Sequence, residues 1–268
     1  MDNDMLTFVG LGLHGAGVSL QGLEEAREAD AVYAEFYTSV VPGLDLKHME
    51  AEVKKPIKVV GREVVEEHPE EILEAAKRGK VVFFVPGDPM VATTHVDLRL
   101  RAERAGIKTR VIPASSVMSA APGLAGLQSY KFGPSATVPF QDNPSPRPYD
   151  VLAENSKRGL HTLLLLDIRA EQDRAMTANE AIGIMLGIEK EKMEGVFTEG
   201  RLVVVVARAG SDDCLVAADR AEGLLPRDFG KPPHVLVVPG RLHFMEAEAL
   251  RVLAGAPKEA LDELERRT

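Results

Sequence analysis

Residues 81–85, Val-Val-Phe-Phe-Val, run straight into Pro86-Gly87-Asp88-Pro89. Five β-branched or aromatic residues are too few for a spanning helix and suit a buried strand. The tetrad then stops that strand at once. Neither proline can donate to a sheet ladder, and glycine permits backbone conformations closed to other residues. Residues 90–105 read as a helix ended by Gly106 at a C-terminal cap position. Asp88 is thereby held at a strand's carboxyl end, where open α/β sheets bind ligands. By residue type alone, Pro-Gly-Asp-Pro reads equally as an ordinary turn.

The flanking chain keeps the same rhythm. Strands are predicted at 6–9, 31–34, 54–60 and 108–112, with a helix at 20–27 capped by Ser19. Another helix, at 69–78, has an acidic first turn and a basic last turn, as the helix dipole prefers. Such alternation implies a largely parallel sheet covered by helices. A helix rich in Ala and Gly follows, with Ser115 or Ser116 as cap. The boundary between two α/β domains, 1–114 and 115–268, is placed there. In the second domain, strands are expected at 135–140, 160–166, 201–207 and 234–238. A capping box, Thr177 to Glu180, opens a helix to about Leu186. Further helices are expected at 150–157, at 218–225, and at 244–254 with an apolar stripe of Met245, Leu250 and Leu253. Residues 141–148 form a loop, and the charged tail 258–268 reads as a frayed helix.

Composition excludes several classes of function. The 268 residues, 45% of them hydrophobic, suffice for one large domain or two ordinary ones. A net charge of −9 argues against nucleic acid as the main partner. The single cysteine, Cys214, excludes an intrachain disulfide and a multi-cysteine metal site. No metal site stands out, since the seven histidines are scattered without zinc-ligand spacing. The acidic N-terminus is unlike a leader peptide, and no apolar run approaches the ~18–20 residues of a membrane span. A soluble, cytoplasmic protein is expected.

Gly10, Gly12 and Gly15 satisfy the G-x-G-x-x-G fingerprint of dinucleotide binding, directly after a strand. The helix should open at the third glycine, yet Ala16-Gly17-Val18 intervenes and Ser19 is the better start. Glu35, at the end of the second strand, is placed to bond a ribose hydroxyl, as in a nicotinamide enzyme or a Rossmann methyltransferase. His95 reads as a packed histidine. His234 starts an apolar strand after Pro232-Pro233, and reads as a ligand contact or as a strand-edge residue facing water. A broader pattern recurs. Apolar strands end in small or turn residues at Gly10, at 86–88, at Asp167 and at Arg208-Ala209-Gly210. Such ends expose main-chain N–H and C=O groups, and no nucleophile or strong base accompanies them. A cofactor carrying the reactive group fits this best, and a non-catalytic binding protein fits it too.

Several segments together resemble the diphthine synthase family of tetrapyrrole-methylase-like methyltransferases. They are Val9-Gly10-Leu11-Gly12-Leu13, Tyr33-Ala34-Glu35-Phe36-Tyr37-Thr38-Ser39, Pro86-Gly87-Asp88-Pro89 and Val91-Ala92-Thr93-Thr94-His95. Tyr130-Lys131-Phe132-Gly133, the Gly159–Leu164 and Met176–Ala181 segments, Ala207-Arg208-Ala209-Gly210, Pro232-Pro233-His234 and Val238-Pro239-Gly240 complete the set. The pattern departs at Ser115, where the family has proline, and in a shorter 141–149 loop. The resemblance implies two α/β domains with a cofactor cleft between them. It implies S-adenosylmethionine as methyl donor, contacted by Leu13, Asp88, Val91, Ser116, Val117, Leu166, Ala209 and His234. The implied protein substrate is translation elongation factor 2, at a histidine bearing an aminocarboxypropyl group. A homodimer is implied as well; the cytoplasmic location and the lack of a nucleic-acid or membrane partner are expected from composition. No catalytic base is assigned.

Overall fold

The computed structural model describes residues 4–266 and divides into two compact units. The first comprises Met1–Val117 with Ala170–Gln172, the second Met118–Arg169 with Asp173–Thr268.

In the first unit, β1 (Met5–Gly10), β2 (Ala31–Ala34), β3 (Ile57–Val59), β4 (Lys80–Val85) and β5 (Lys108–Ile112) form one parallel sheet in the order β3-β2-β4-β1-β5. Between them run α1 (Leu20–Glu28), α2 (Leu46–Val53), α3 (Glu70–Ala76) and α4 (Val96–Arg104). Alternate residues of β4 enter different cores. Val81, Phe83 and Val85 pack with Ile72, Ala76, Leu98 and Ala102, whereas Val82 and Phe84 pack with Ala26, Met49 and Val53. A strand covered on both faces cannot alternate with polar residues, which explains its unbroken apolar run.

Helix α5 (Val117–Ala125) starts on the last residue of the first unit and continues into the second, which holds a mixed sheet. Its strands β6 (Ala136–Val138), β7 (Thr162–Leu166), β10 (Leu202–Ala207), β11 (Leu215–Arg220) and β12 (His234–Val238) lie in the order β11-β10-β12-β7-β6. Only the β6–β7 pair is parallel. A two-stranded ribbon, β8 (Ile168–Arg169) and β9 (Arg174–Ala175), follows β7. The helices are α6 (Arg147–Lys157), α7 (Ala178–Lys192), α8 (Ala221–Leu224), α9 (Phe244–Ala254) and α10 (Lys258–Arg266). The Thr177–Glu180 capping box is present at the start of α7. Among the described residues, no helix is long and apolar enough to cross a membrane.

Three expectations are corrected, and one helix is added. The helix predicted from residue 90 begins only at Val96. Asp88 Oδ1 accepts the Met90 N–H, Ala92 takes φ +56°, and Thr93 Oγ1 donates to Pro89 O, so local bonds displace helical ones. Residues 218–225 form the end of β11 and the one-turn α8, because all six residues of β11 pair with β10; pairing overrides the alanines' helical preference. Helix α2 was not foreseen, although Asp45 caps it by accepting the Lys47 and His48 N–H groups, and Met49 and Val53 share its buried face. In α9 the buried face is Ala247, Leu250 and Ala254, while Met245 and Leu253 are exposed. The tail is helical through Arg266, and residues 267–268 of the predicted segment lie outside the described ones.

Candidate functional site

In the first unit the loops after β1 and β4 leave toward opposite faces. Ala26 of α1 packs with Val9 and Phe84, whereas Leu98 of α4 packs with Phe8 and Phe83. Neighbouring parallel strands whose loops diverge leave a crevice at their carboxyl ends, the switch point where such sheets bind ligands. The chain draws this edge tight. Leu11 N–H donates to Val85 O at 2.8 Å, and Gly12 and Gly87 exchange two backbone hydrogen bonds, of 3.1 and 2.9 Å. A Cβ on Gly10 would stand 2.5 Å from Gly87 O and 2.6 Å from Ala114 Cβ, so no side chain fits there. Gly87 has φ +65°, and the place of its missing Cβ meets nothing nearer than Ser115 O at 3.9 Å. Its main chain is bare on that side.

Asp88 fastens this edge from within. Its Oδ1 accepts the Met90 N–H at 3.0 Å and its Oδ2 accepts the Ala114 N–H at 3.2 Å. The carboxylate thus ties the β4 turn to the chain just past β5, and each oxygen has a second lone pair for a ligand. Leu13, Ser116 and Val117 are half-buried, and Val91 is exposed.

The second unit gathers three more candidates at one sheet edge. Strand β12 runs antiparallel to β7 and β10, so its first residue lies beside their last ones. His234 pairs with Ala207, and Val235 with Leu165. Leu166, Ala209 and His234, distant in sequence, therefore share an edge, and all three are buried. The His234 ring is committed to the protein. Nδ1 accepts the Ala178 N–H and Nε2 donates to Lys231 O, both at 3.1 Å, which assigns the ring proton to Nε2. Burial pushes its pKa down, with the nearby Arg208 charge acting the same way. The reading of His234 as a strand-edge side chain facing water is corrected. Any ligand contact at this position falls to its main chain.

Glu35 is not a ribose ligand. Its side chain is fully buried, accepting the Tyr37 and Thr38 N–H groups and the Thr38 hydroxyl. Burial pushes its pKa up to about 7. His95, equally buried, lies 3.7 Å from Glu35 Oε1, and Nδ1 faces Pro89 O at 3.4 Å. Burial pushes His95 down to about 4. The fingerprint glycines are likewise spent on structure: Gly12 bridges to Gly87, the Gly15 N–H donates to Pro42 O, and α1 starts only after its cap at Ser19. Among the described residues, no cluster of three His, Cys, Asp or Glu side chains could hold a metal ion.

This arrangement of glycine-lined strand ends in two α/β units has a family match. The family of Tetrapyrrole (Corrin/Porphyrin) Methylases matches residues 5–224, and the chain belongs to it. Its members are S-adenosylmethionine-dependent methyltransferases, and so is this protein. Its relatives narrow the class. Diphthine synthase of Methanocella arvoryzae is 52% identical over 94% of this chain and 98% of the relative. Diphthine synthase of Methanosarcina acetivorans is 49% identical over 97% of this chain and 100% of the relative. A crystal structure of diphthine synthase superposes with a TM-score of 0.88 at 43% identity, covering 98% of this chain and 100% of that one. The protein is thus a methyltransferase of diphthamide biosynthesis.

The residues present fit such a cofactor. The bare main chain at Gly87 and the Asp88 carboxylate suit a small cationic group, the charge type of a sulfonium. The edge formed by Leu166, Ala209 and His234 offers main-chain groups in buried, largely apolar surroundings, as an adenine ring needs.

Proposed function

We propose that the protein methylates the amine of an aminocarboxypropyl group carried on a histidine of translation elongation factor 2, giving diphthine. The observation that supports this most is its identity of about half to diphthine synthases over nearly their full length. By the resemblance, Leu13, Asp88, Val91, Ser116, Val117, Leu166, Ala209 and His234 contact S-adenosylmethionine. When bound, that cofactor supplies a methyl group already activated by its sulfonium. The protein's part is alignment and exclusion of water. Asp88 sets a negative charge against the cation, from a carboxylate immobilised by two backbone N–H groups. Gly87, lacking a side chain, lets the ligand approach the main chain, while Gly10 makes room for the Gly87 carbonyl and Ala114. Glu35 is too deeply enclosed to take the amine's proton.

A net charge of −9 favours a protein substrate over nucleic acid. By the resemblance the protein is a homodimer, which light scattering tests, and its composition suits the cytoplasm. The substrate is tested by intact-mass analysis of elongation factor 2 with and without the aminocarboxypropyl group. Bare histidine has no such amine, so only the modified form should gain mass, in steps of one methyl. Equal labelling of both forms, or of a porphyrin precursor and neither protein, rejects the assignment.

A further inference from the structure

Arg208 follows β10 in a left-handed conformation, φ +50°, that non-glycine residues rarely adopt. Its guanidinium explains how the conformation is held. Nε donates to Asp213 Oδ2 at 2.6 Å and Nη2 to Asp213 O at 3.0 Å. Nη1 donates to Phe229 O at 2.6 Å and to Lys231 O at 2.7 Å. Two stretches of chain are thereby gripped by one side chain. The 209–213 turn closes further through Ser211, whose N–H and hydroxyl both donate to Arg208 O, at 3.1 and 2.7 Å. The 229–233 stretch is drawn in through the Arg208 N–H, which donates to Pro233 O at 2.8 Å. Lys231 O accepts from Arg208 and from His234 Nε2 alike. Gly230 passes so close that a Cβ on it would stand 3.1 Å from Nη1.

Ala209 and His234 are the two ends of this clamp. We propose that Arg208 is a positioning residue for methyl transfer, orienting the main chain of Ala209 and His234 to receive the cofactor's nucleoside. This rests on the assignment of those two residues to the cofactor site. Lysine cannot replace it, because a single ammonium does not span the four acceptors that a planar fork reaches.

The test begins with the wild type. S-adenosylhomocysteine should slow amide exchange in peptides covering 209–211 and 233–235; no protection there overturns the assignment of the site itself. Arg208→Ala should then weaken S-adenosylhomocysteine binding about tenfold or more, the scale of lost hydrogen bonds to a charged group. It should raise the cofactor KM more than it lowers kcat, and low-millimolar guanidinium should restore affinity. Should Arg208→Ala fail to fold, Arg208→Lys carries the same affinity and KM measurements. Protection in the wild type with unchanged affinity in the folded variant overturns the role of Arg208 alone. A fall in kcat without a rise in KM does so too.

Discussion

Glu35 and His95 are buried side by side, and their titrations oppose one another. The Glu35 pKa is raised from 4.5 to about 7 by burial, so the folded state binds its proton more tightly. Its contribution is fully present below pH 4.5 and is lost as pH rises to about 7. The His95 pKa is lowered from 6.5 to about 4, so its contribution is present above pH 6.5 and is lost as pH falls to about 4. Each amounts to about 3 kcal/mol, and through the shared range the two slopes cancel. Glu35→Gln should therefore gain on the wild type by about that amount as pH rises through its window. His95→Asn should gain on the wild type as pH falls through its own. Urea titrations at several pH values measure both, and slopes of the reverse sign would sink the account. The sequence reads His95 as a packed histidine, which it is, and Glu35 as a ribose ligand, which it is not. It could not show that Glu35 is enclosed, because its donors come from the turn that follows β2.

At the scale of elements, the legible strands were those whose runs are both apolar and β-branched, such as β4 and β10. Strand β11 was missed because its Ala217-Ala218 pair reads as helix until β10 supplies a partner. The candidate site was legible as strand ends without bulky side chains. The fastening done by Asp88 and Arg208 was not, since their acceptors and donors lie 26 and 21 residues away in the chain. The start of α9 shows another such fastening. Glu246, almost fully buried, accepts from the His243 and Gln128 N–H groups, from Lys131 and from the His161 ring. Burial would raise its pKa, yet these bonds hold it down to about 2. Glu246→Gln keeps the shape but removes the charge that Lys131 and His161 face. It should cost roughly 2–4 kcal/mol in chemical denaturation. A loss below half a kcal/mol would mean that water replaces the carboxylate.

At the scale of the whole molecule, each unit has its own sheet and its own apolar interior. A ligand that binds only the folded chain adds stability by mass action. S-adenosylhomocysteine at about a hundredfold its dissociation constant should add about 2.7 kcal/mol, a shift of several degrees in Tm. NAD should add none, because Glu35 and the fingerprint glycines are committed elsewhere. The reverse result in a thermal scan would restore the dinucleotide reading. The Gly12–Gly87 bridge also bears on how such a chain can drift over generations. Two hydrogen bonds join residues that both sit at positive φ, so replacing either glycine breaks the same contact. The first replacement carries most of the damage and the second adds little. Reversion of one position in a doubly altered chain then recovers almost nothing. The pair is inherited as a single character, and a lineage that has altered both positions has no one-step way back.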